Sequence, residues 1–319
     1  MITDVNLRML RQLASGMVGQ TPMSSAMLNR LVDEIEGGGG PIVDLISGHR
    51  DVNVPLFAVR LLAGVRYLVI TGQSPDLAAH LDGMLDHLED HQWIDRTWQL
   101  FRSTIQDNSV EIASALDRPV QQHQPDRAAP LLRGLGMLAA PEVRLLELGA
   151  CAGLNLIPDR YRWIAPQWEW GDGESKVRLA GYGPSPGRVS IVERAGCDLH
   201  PLNPGNPRDA AILRSFVPHE LSIEQMELDD AIELAAVHGV AVDQADAVRW
   251  LEDKLRDSCS PDVYTVVWHS VFWGYLEADQ QREIEDILCR AAIRTPVANI
   301  CYEPHELGGM PMLQVRVYS

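Results

Sequence analysis

Two rhythms of apolar residues divide the chain. In the first part the spacing is helical. Leu7, Leu10, Leu13 and Met17 recur at three- and four-residue intervals, the stripe of a 3.6-residue helix. The run SSAMLNRLVDEIE opens on Ser24 and Ser25 as candidate caps and stops at GGGGP, a strong helix terminator. VPLFAVRLLAGVRYLVITG is apolar nearly all round and ends in Gly72, which predicts a buried helix. DRTWQLFRSTIQDNSVEIASAL continues the helical pattern until RPVQQHQPDRAAP interrupts it with Pro119, Pro125 and Pro130.

From residue 141 the rhythm shortens. VRLLELG, RVSIVER, GVAVDQAD, YTVVWHS, VANICYE and LQVRVYS read as strands. Helical stretches lie between them, among them SIEQMELDDAIELAAVH and ADQQREIEDILCRAAIR. Strands alternating with helices predict βαβ units and a parallel sheet. The expected organisation is α/β: a helical domain over residues 1–140, acting as a cap, and a Rossmann-like domain over 141–319. Residues 165–187, rich in Pro and Gly and flanked or occupied by Trp163, Trp168 and Trp170, read as an insertion that covers a site or simply packs.

The first strand runs into ELGACAGLNL. A dinucleotide fingerprint needs G-x-G-x-x-G there. Here Gly149 and Gly153 are four apart, with Cys at 151 and Leu at 154, so that pattern fails. A Walker loop needs G-K-[ST], which is absent. What remains is a strand, Glu147, Gly149, Gly153 and then an expected helix. This resembles motif I of the Rossmann-like S-adenosylmethionine-dependent methyltransferases. Gly149 lets the backbone turn off the strand, and Gly153 leaves no side chain between helix start and ligand. Ligands of open α/β sheets bind at this end of the strands. Two further acids follow the next two strands, Asp198 and Asp246. Asp198 has two oxygens with which to accept from a pair of ribose hydroxyls, and Asp246 stands where such enzymes hold an adenine amino group. The plain alternative for each is a helix N-cap, a position Asp favours, and for Asp246 capping and adenine binding are compatible.

ELGACAGLNLIPDRYRW, GCDLHPLNP, FVPHE, QADAVRWLEDKL and VVWHSVFWGYL together resemble the domain-of-unknown-function 2332 family, whose members look like divergent methyltransferases with a helical N-terminal region. The resemblance runs over nearly the whole chain. It implies S-adenosylmethionine as cofactor, held by Glu147, Gly149, Cys151, Gly153 and Asn155 at the first strand, by Asp198, by Asp246 with Ala247, and by Trp268 on the fourth strand.

Methyl transfer from a sulfonium is an in-line displacement, in which the protein positions the reactants and in some cases removes a proton. His269, at the end of YTVVWHS, is the expected general base because an imidazole titrates near working pH. A histidine satisfying buried backbone groups is the plain alternative. Glu303, at the end of the fifth strand, is the second catalytic candidate; a solvated loop acid explains it as well. His305 and Glu306 follow it. Gln121, Arg127 and Tyr275 are candidate substrate contacts. Arg127 suits bidentate capture of a carboxylate, or an ion pair within the fold. His219 and Glu220 belong to a less regular segment. No metal is expected, since no H-E-x-x-H or related spacing occurs.

Composition narrows the partners. The chain has 319 residues and a formal charge of −17. So acidic a surface repels phosphate backbones and anionic lipids, so neither nucleic acid nor membrane is an expected partner. No apolar run of about 18 residues predicts a membrane span. The five cysteines stand at 151, 197, 259, 289 and 301 without a C-x-x-C pair, which argues for a reducing, cytoplasmic setting. Cys151 has no identifiable base and is not read as a nucleophile. The expectation is a methyltransferase-like enzyme acting on a small molecule. The alternative is a non-catalytic protein that keeps the fold and binds S-adenosylmethionine or another ligand. A homodimer is left open.

Overall fold

The computed structural model describes residues 2–53, 56–138, 140–256, 262–305 and 310–318. Cys259 and Glu306 lie outside them. In chain order the helices are α1 Asp4–Met17, α2 Pro22–Glu36, α3 Pro41–Ser47, α4 Phe57–Ile70, α5 Pro75–Leu81, α6 His91–Asp107, α7 Ser109–Leu116, α8 Ala128–Leu138, α9 Pro207–Ser215, α10 Ser222–His238, α11 Ala247–Arg256 and α12 Ala278–Ala292. The strands are β1 Glu142–Leu148, β2 Arg162–Ala165, β3 Trp168–Gly171, β4 Arg178–Ala180, β5 Ser190–Asp198, β6 Val242–Gln244, β7 Tyr264–Ser270, β8 Val297–Pro304 and β9 Pro311–Tyr318. Among the described residues no helix is long and apolar enough to cross a membrane.

Contacts divide the chain into two compact units. One holds residues 1–122 and 207–226, the other 123–206 and 227–319. α8 therefore belongs with the sheet, and α9 with the N-terminal helices.

In the helical unit, α4 is the central helix. Phe57, Leu61, Leu62, Val65 and Leu68 are buried and share one core with Leu28 and Leu31 of α2 and Phe101 and Ile105 of α6. An all-round apolar sequence is what a central helix requires. The GGGGP stop separates α2 from α3, as its glycines and proline dictate. Ser24 and Ser25 do not cap α2. Pro22 starts that helix, its fixed φ suiting the first turn. Ser25 instead donates to the Ala14 carbonyl, and Ser24 binds Glu220.

The second unit is built on a six-stranded sheet of order β6-β5-β1-β7-β8-β9. Five strands run parallel, and β9 pairs antiparallel with β8 at the edge. One face buries Leu146, Leu148 and Val267 against Trp250 and Leu251 of α11 and Ile284, Ile287 and Leu288 of α12. α8 packs on β8 and β9. It approaches closely because Gly134 has no side chain: a Cβ there would stand 2.6 Å from Ile300. The apolar runs of β1 and β7 have the burial of strands covered on both faces. Residues 162–180 add a separate three-stranded sheet of order β3-β2-β4, where the sequence suggested only an insertion.

Candidate functional site

β1 and β7 are neighbours in space but not in sequence. The chain leaves β1 to reach β5 on one side, and leaves β7 to reach β8 on the other. Their carboxyl ends form the point where the strand order reverses, the place where open α/β sheets bind ligands.

Both exits turn through positive φ. After β1, Gly149, Cys151 and Gly153 all have positive φ, at 69°, 47° and 71°. After β7, Val271 has φ of 50°, an outlier for a β-branched residue. Such strain persists only where the surroundings over-determine it, and it concentrates at functional sites. The surroundings are visible here: the Val271 N–H donates to the Tyr302 carbonyl, and the next amide, Phe272, donates to both oxygens of Glu303 at 2.9 and 3.1 Å.

The helix expected after Gly153 is not formed. Two single 3₁₀ turns, Leu154–Leu156 and Pro158–Arg160, take its place. The reason is Pro158, which lacks an N–H and disfavours helical conformation at Ile157; Ile157 has φ −119° and ψ 40°. Side chains satisfy the backbone that a helix ladder would have satisfied. His123 Nε2 accepts the Leu154 N–H at 3.2 Å. The Tyr161 hydroxyl donates to the Leu154 carbonyl at 2.6 Å. Arg194 donates to the Leu156 carbonyl and clamps Asp159 at 2.6 and 2.9 Å. His123 is buried, and desolvation with Arg127 nearby pulls its pKa down to about 3, so at neutral pH it is an uncharged acceptor. No role for His123 follows from the sequence pattern. Its signal is present only as a histidine in the VQQHQPDR segment.

Nor do the glycines face empty space. A Cβ on Gly149 would stand 2.5 Å from the Phe272 ring, and one on Gly153 would stand 2.5 Å from Val240. Asp198 spans the turn: one oxygen accepts the Cys151 N–H at 3.0 Å, the other the His200 N–H at 2.8 Å. Asp246 is a working N-cap. It accepts the Arg249 N–H at 3.2 Å and meets Gln280 Nε2 at 3.5 Å. Ala247, the first residue of α11, packs into the core beside it.

Beneath the turn, Glu147 is 2% exposed. Burial raises its pKa well above the usual carboxylate range, while Asn155 and Trp268 pull the other way and Asp198 adds to the rise. The Glu147 Oε2, the Asn155 Oδ1 and the Trp268 indole nitrogen are all buried without a hydrogen bond of ordinary geometry, and the Ser270 hydroxyl is another such group. The Cys151 thiol is held protonated: desolvation, and then the Asp198 charge, push its pKa far up.

His269 and Glu303 come together, as their strand ends allow. His269 Nδ1 lies 2.7 Å from Glu303 Oε1, with exposures of 2% and 8%. β7 and β8 pair in register, His269 opposite Cys301. A carboxylate only accepts, so Nδ1 carries the proton of this bond, and in the neutral imidazole Nε2 is then the acceptor. The Asn299 amide nitrogen lies 3.4 Å from that Nε2. Trp273 stacks on the imidazole, with centroids 5.0 Å apart and planes at 18°. Arg127 is half-buried within electrostatic reach of Asp126, Tyr275, Glu303 and Tyr302. It thus belongs to this end of the sheet. Tyr275 is 62% exposed, and His305 is exposed. Gln121 is buried and belongs to the helical unit. Among the described residues no group of three or more His, Cys, Asp or Glu is placed to hold a metal.

A family model described as an uncharacterized protein conserved in bacteria (DUF2332) matches residues 8–319. The chain belongs to that family. No curated protein and no solved structure gives a significant match. The DUF2332 match covers both units, so the strained turns, the Asp198 staple and the His269–Glu303 pair all lie inside it.

Proposed function

We propose that this DUF2332 protein is an S-adenosylmethionine-dependent methyltransferase acting on a small molecule, with its site at the carboxyl ends of β1, β5, β7 and β8. The strand order carries the reading. Numbered from β1 as the first parallel strand, the order is 3-2-1-4-5 followed by an antiparallel edge, and the reversal point holds both strained turns. The residues fit the cofactor on one observation in particular. Glu147 is buried against Asn155 and Trp268, which hold it through loose side-chain hydrogen bonds, and Glu147 Oε2, Asn155 Oδ1, Trp268 Nε1 and Ser270 Oγ all lack a bond of ordinary geometry, whereas buried polar groups ordinarily make well-formed ones. A ligand bearing amino and carboxylate groups would complete them. Asp198 would accept from ribose hydroxyls through the lone pairs its backbone bonds leave free, and Asp246 would stand at the adenine. Phe272, lying on Gly149, would have to swing aside.

When bound, the cofactor supplies an electrophilic methyl group. The chain's own residues do the rest. Glu303 fixes the His269 tautomer and orientation through Nδ1, Trp273 holds the ring plane, and Nε2 takes the proton that the acceptor releases. Arg127 orients an anionic acceptor at the same end of the sheet. The test is titration calorimetry of the full chain with S-adenosylhomocysteine. Micromolar binding is the expected result, and no heat at millimolar ligand would sink the reading.

One observation favours the second reading, a binding protein without turnover. With His269 2% exposed and Phe272 covering Gly149, the base is shut away from any acceptor. Binding of S-adenosylhomocysteine with no methyl transfer to any of a panel of small amines, phenols and acids would select it.

A further inference from the structure

The helical unit contains a cleft of its own, independent of the methyl-transfer reading. α2, α4, α5 and α6 form its walls, and His219 and Glu220, from the 207–226 segment of the same unit, close one end. Its empty space is ≈ 410 Å³, counting the open mouth. Met23, Met27, Leu62, Met84 and Phe101 give an apolar lining. Met23 and Met27 of α2 and Met84 of the 84–86 turn make the lining adaptable, since the unbranched thioether repacks readily.

The closed end is polar. Arg66 is 8% exposed. It donates through one terminal nitrogen to the Ser215 carbonyl and through the other to the Ser24 hydroxyl, both at 3.2 Å. These bonds use part of a five-donor guanidinium. Burial lowers its pKa to about 10 and Glu220 opposes that, so it stays charged at neutral pH. Glu220 accepts the Ser24 N–H at 2.7 Å and lies 3.3 Å from the Ser24 hydroxyl. Ser24 thus bridges the cation and the anion. His219 Nε2 is buried and has no partner.

Arg66 and Glu220 cancel in charge. A charged occupant would disturb that balance in a poorly solvated place, at the cost of burying an uncompensated ion. A neutral polar group meets no such cost. It finds a donor in Arg66, an acceptor in Glu220 and, in His219 Nε2, a buried atom that gains a hydrogen bond. We infer that this cleft is a binding site for a small uncharged apolar molecule carrying a single hydroxyl or amide head, the head seated between Arg66, His219 and Glu220 and the apolar body against the methionines.

The test uses the full chain with ¹³C-methyl-labelled methionine and four probes of one shape: benzyl alcohol, toluene, benzoate and benzylamine. Benzyl alcohol is expected to shift the Met23, Met27 and Met84 methyl signals and to half-saturate at a concentration about five- to tenfold below each of the others, the worth of one or two net hydrogen bonds. His219→Phe keeps an apolar wall but removes Nε2, and should reduce the advantage of the alcohol over toluene, leaving what Arg66 and Glu220 contribute. Three results overturn the inference: no shift of these methyls at the solubility limit, which would leave only a water-filled gap; benzoate or benzylamine binding as tightly as the alcohol; or an undiminished alcohol preference in His219→Phe. Should that variant not fold, the ranking of the four probes on the unaltered chain decides.

Discussion

His123 holds the turn that follows β1 by accepting the amide hydrogen of Leu154 on Nε2, at 3.2 Å. The bond requires a neutral imidazole. Its pKa lies at about 3 in the folded chain against an ordinary 6.5. Below pH 6.5 the unfolded chain therefore takes up a proton that the folded chain refuses. This contribution to stability is fully present above about pH 6.5 and is lost as pH falls from there toward 3, with a slope approaching ~1.4 kcal/mol per pH unit. His123→Gln keeps an acceptor but does not titrate. In urea unfolding between pH 4 and 8, the variant should lose distinctly less stability on acidification than the wild type. Parallel curves would refute the assignment.

Glu147 carries the opposite sign. Its folded pKa is raised by burial, so its favourable contribution belongs to the protonated form. That contribution is present at low pH and is lost as pH rises through the folded pKa. Glu147→Gln mimics the neutral acid at every pH. Its Tm should stay close to that of the wild type at pH 5 and exceed it increasingly toward pH 9. A Tm difference independent of pH from 5 to 9 would mean that the folded and unfolded chains hold the same number of protons here, so that the folded carboxyl is not raised.

Asp198 is asked to do two jobs, and they separate in one experiment. As the staple on Cys151 it supports the turn; as a ribose acceptor it holds ligand. Asp198→Ala should weaken S-adenosylhomocysteine binding by about 1.5–3 kcal/mol, the range for hydrogen bonds to a charged group. Unchanged affinity in calorimetry, with a lowered Tm, would leave only the staple. Substitution of Gly153 is a poorer probe than its place in the motif suggests. With positive φ and Val240 against it, a side chain there strains the fold whether or not a ligand binds.

His269 should act as a base through Nε2. His269→Ala is expected to slow methyl transfer by about 10²–10⁴-fold and to remove the titrating limb of the pH–rate profile, while affinity for S-adenosylhomocysteine changes little. Glu303→Gln, which disturbs the tautomer but keeps a side chain of similar size, should share the loss in kcat. A folded His269→Ala with wild-type rates from pH 5 to 9 would reduce the pair to a structural contact.

Where the sequence speaks through periodicity, it speaks plainly. β1, β7 and β8 announce themselves as short apolar runs, and α4 as an apolar helix, because these elements are largely covered by neighbours, while the edge strand β9 shows the alternation of a half-exposed strand. His269 and Glu303 stand out in the sequence as polar residues ending apolar strands, but their pairing does not, because strand order is set by long-range contacts. The failures are local. Pro158, in plain view, stops the helix that the glycine motif led one to expect, and the motif outweighed it. Ser24 and Ser25 look like caps until Pro22 is given its preference for a first turn. The three-stranded sheet over 162–180 is hidden because its strands are three or four residues long and two-sided, too short for a period to show. His123, Phe272 and the Ser24–Glu220 contact rest on long-range placement, which no local pattern encodes.

The helical unit is discontinuous in sequence, and this has a consequence during synthesis. α9 packs against α4, and Arg66 of α4 reaches the Ser215 carbonyl at its end. Neither contact exists until residues 123–206 have been translated, roughly 4–17 s at elongation rates of about 5–20 residues per second. For that interval the nascent chain carries its central helix with one flank bare, beside an arginine whose carbonyl partner has not been made. The first half of this protein can finish folding only after much of the second has left the ribosome, so it is in this window that chaperones would have most to hold.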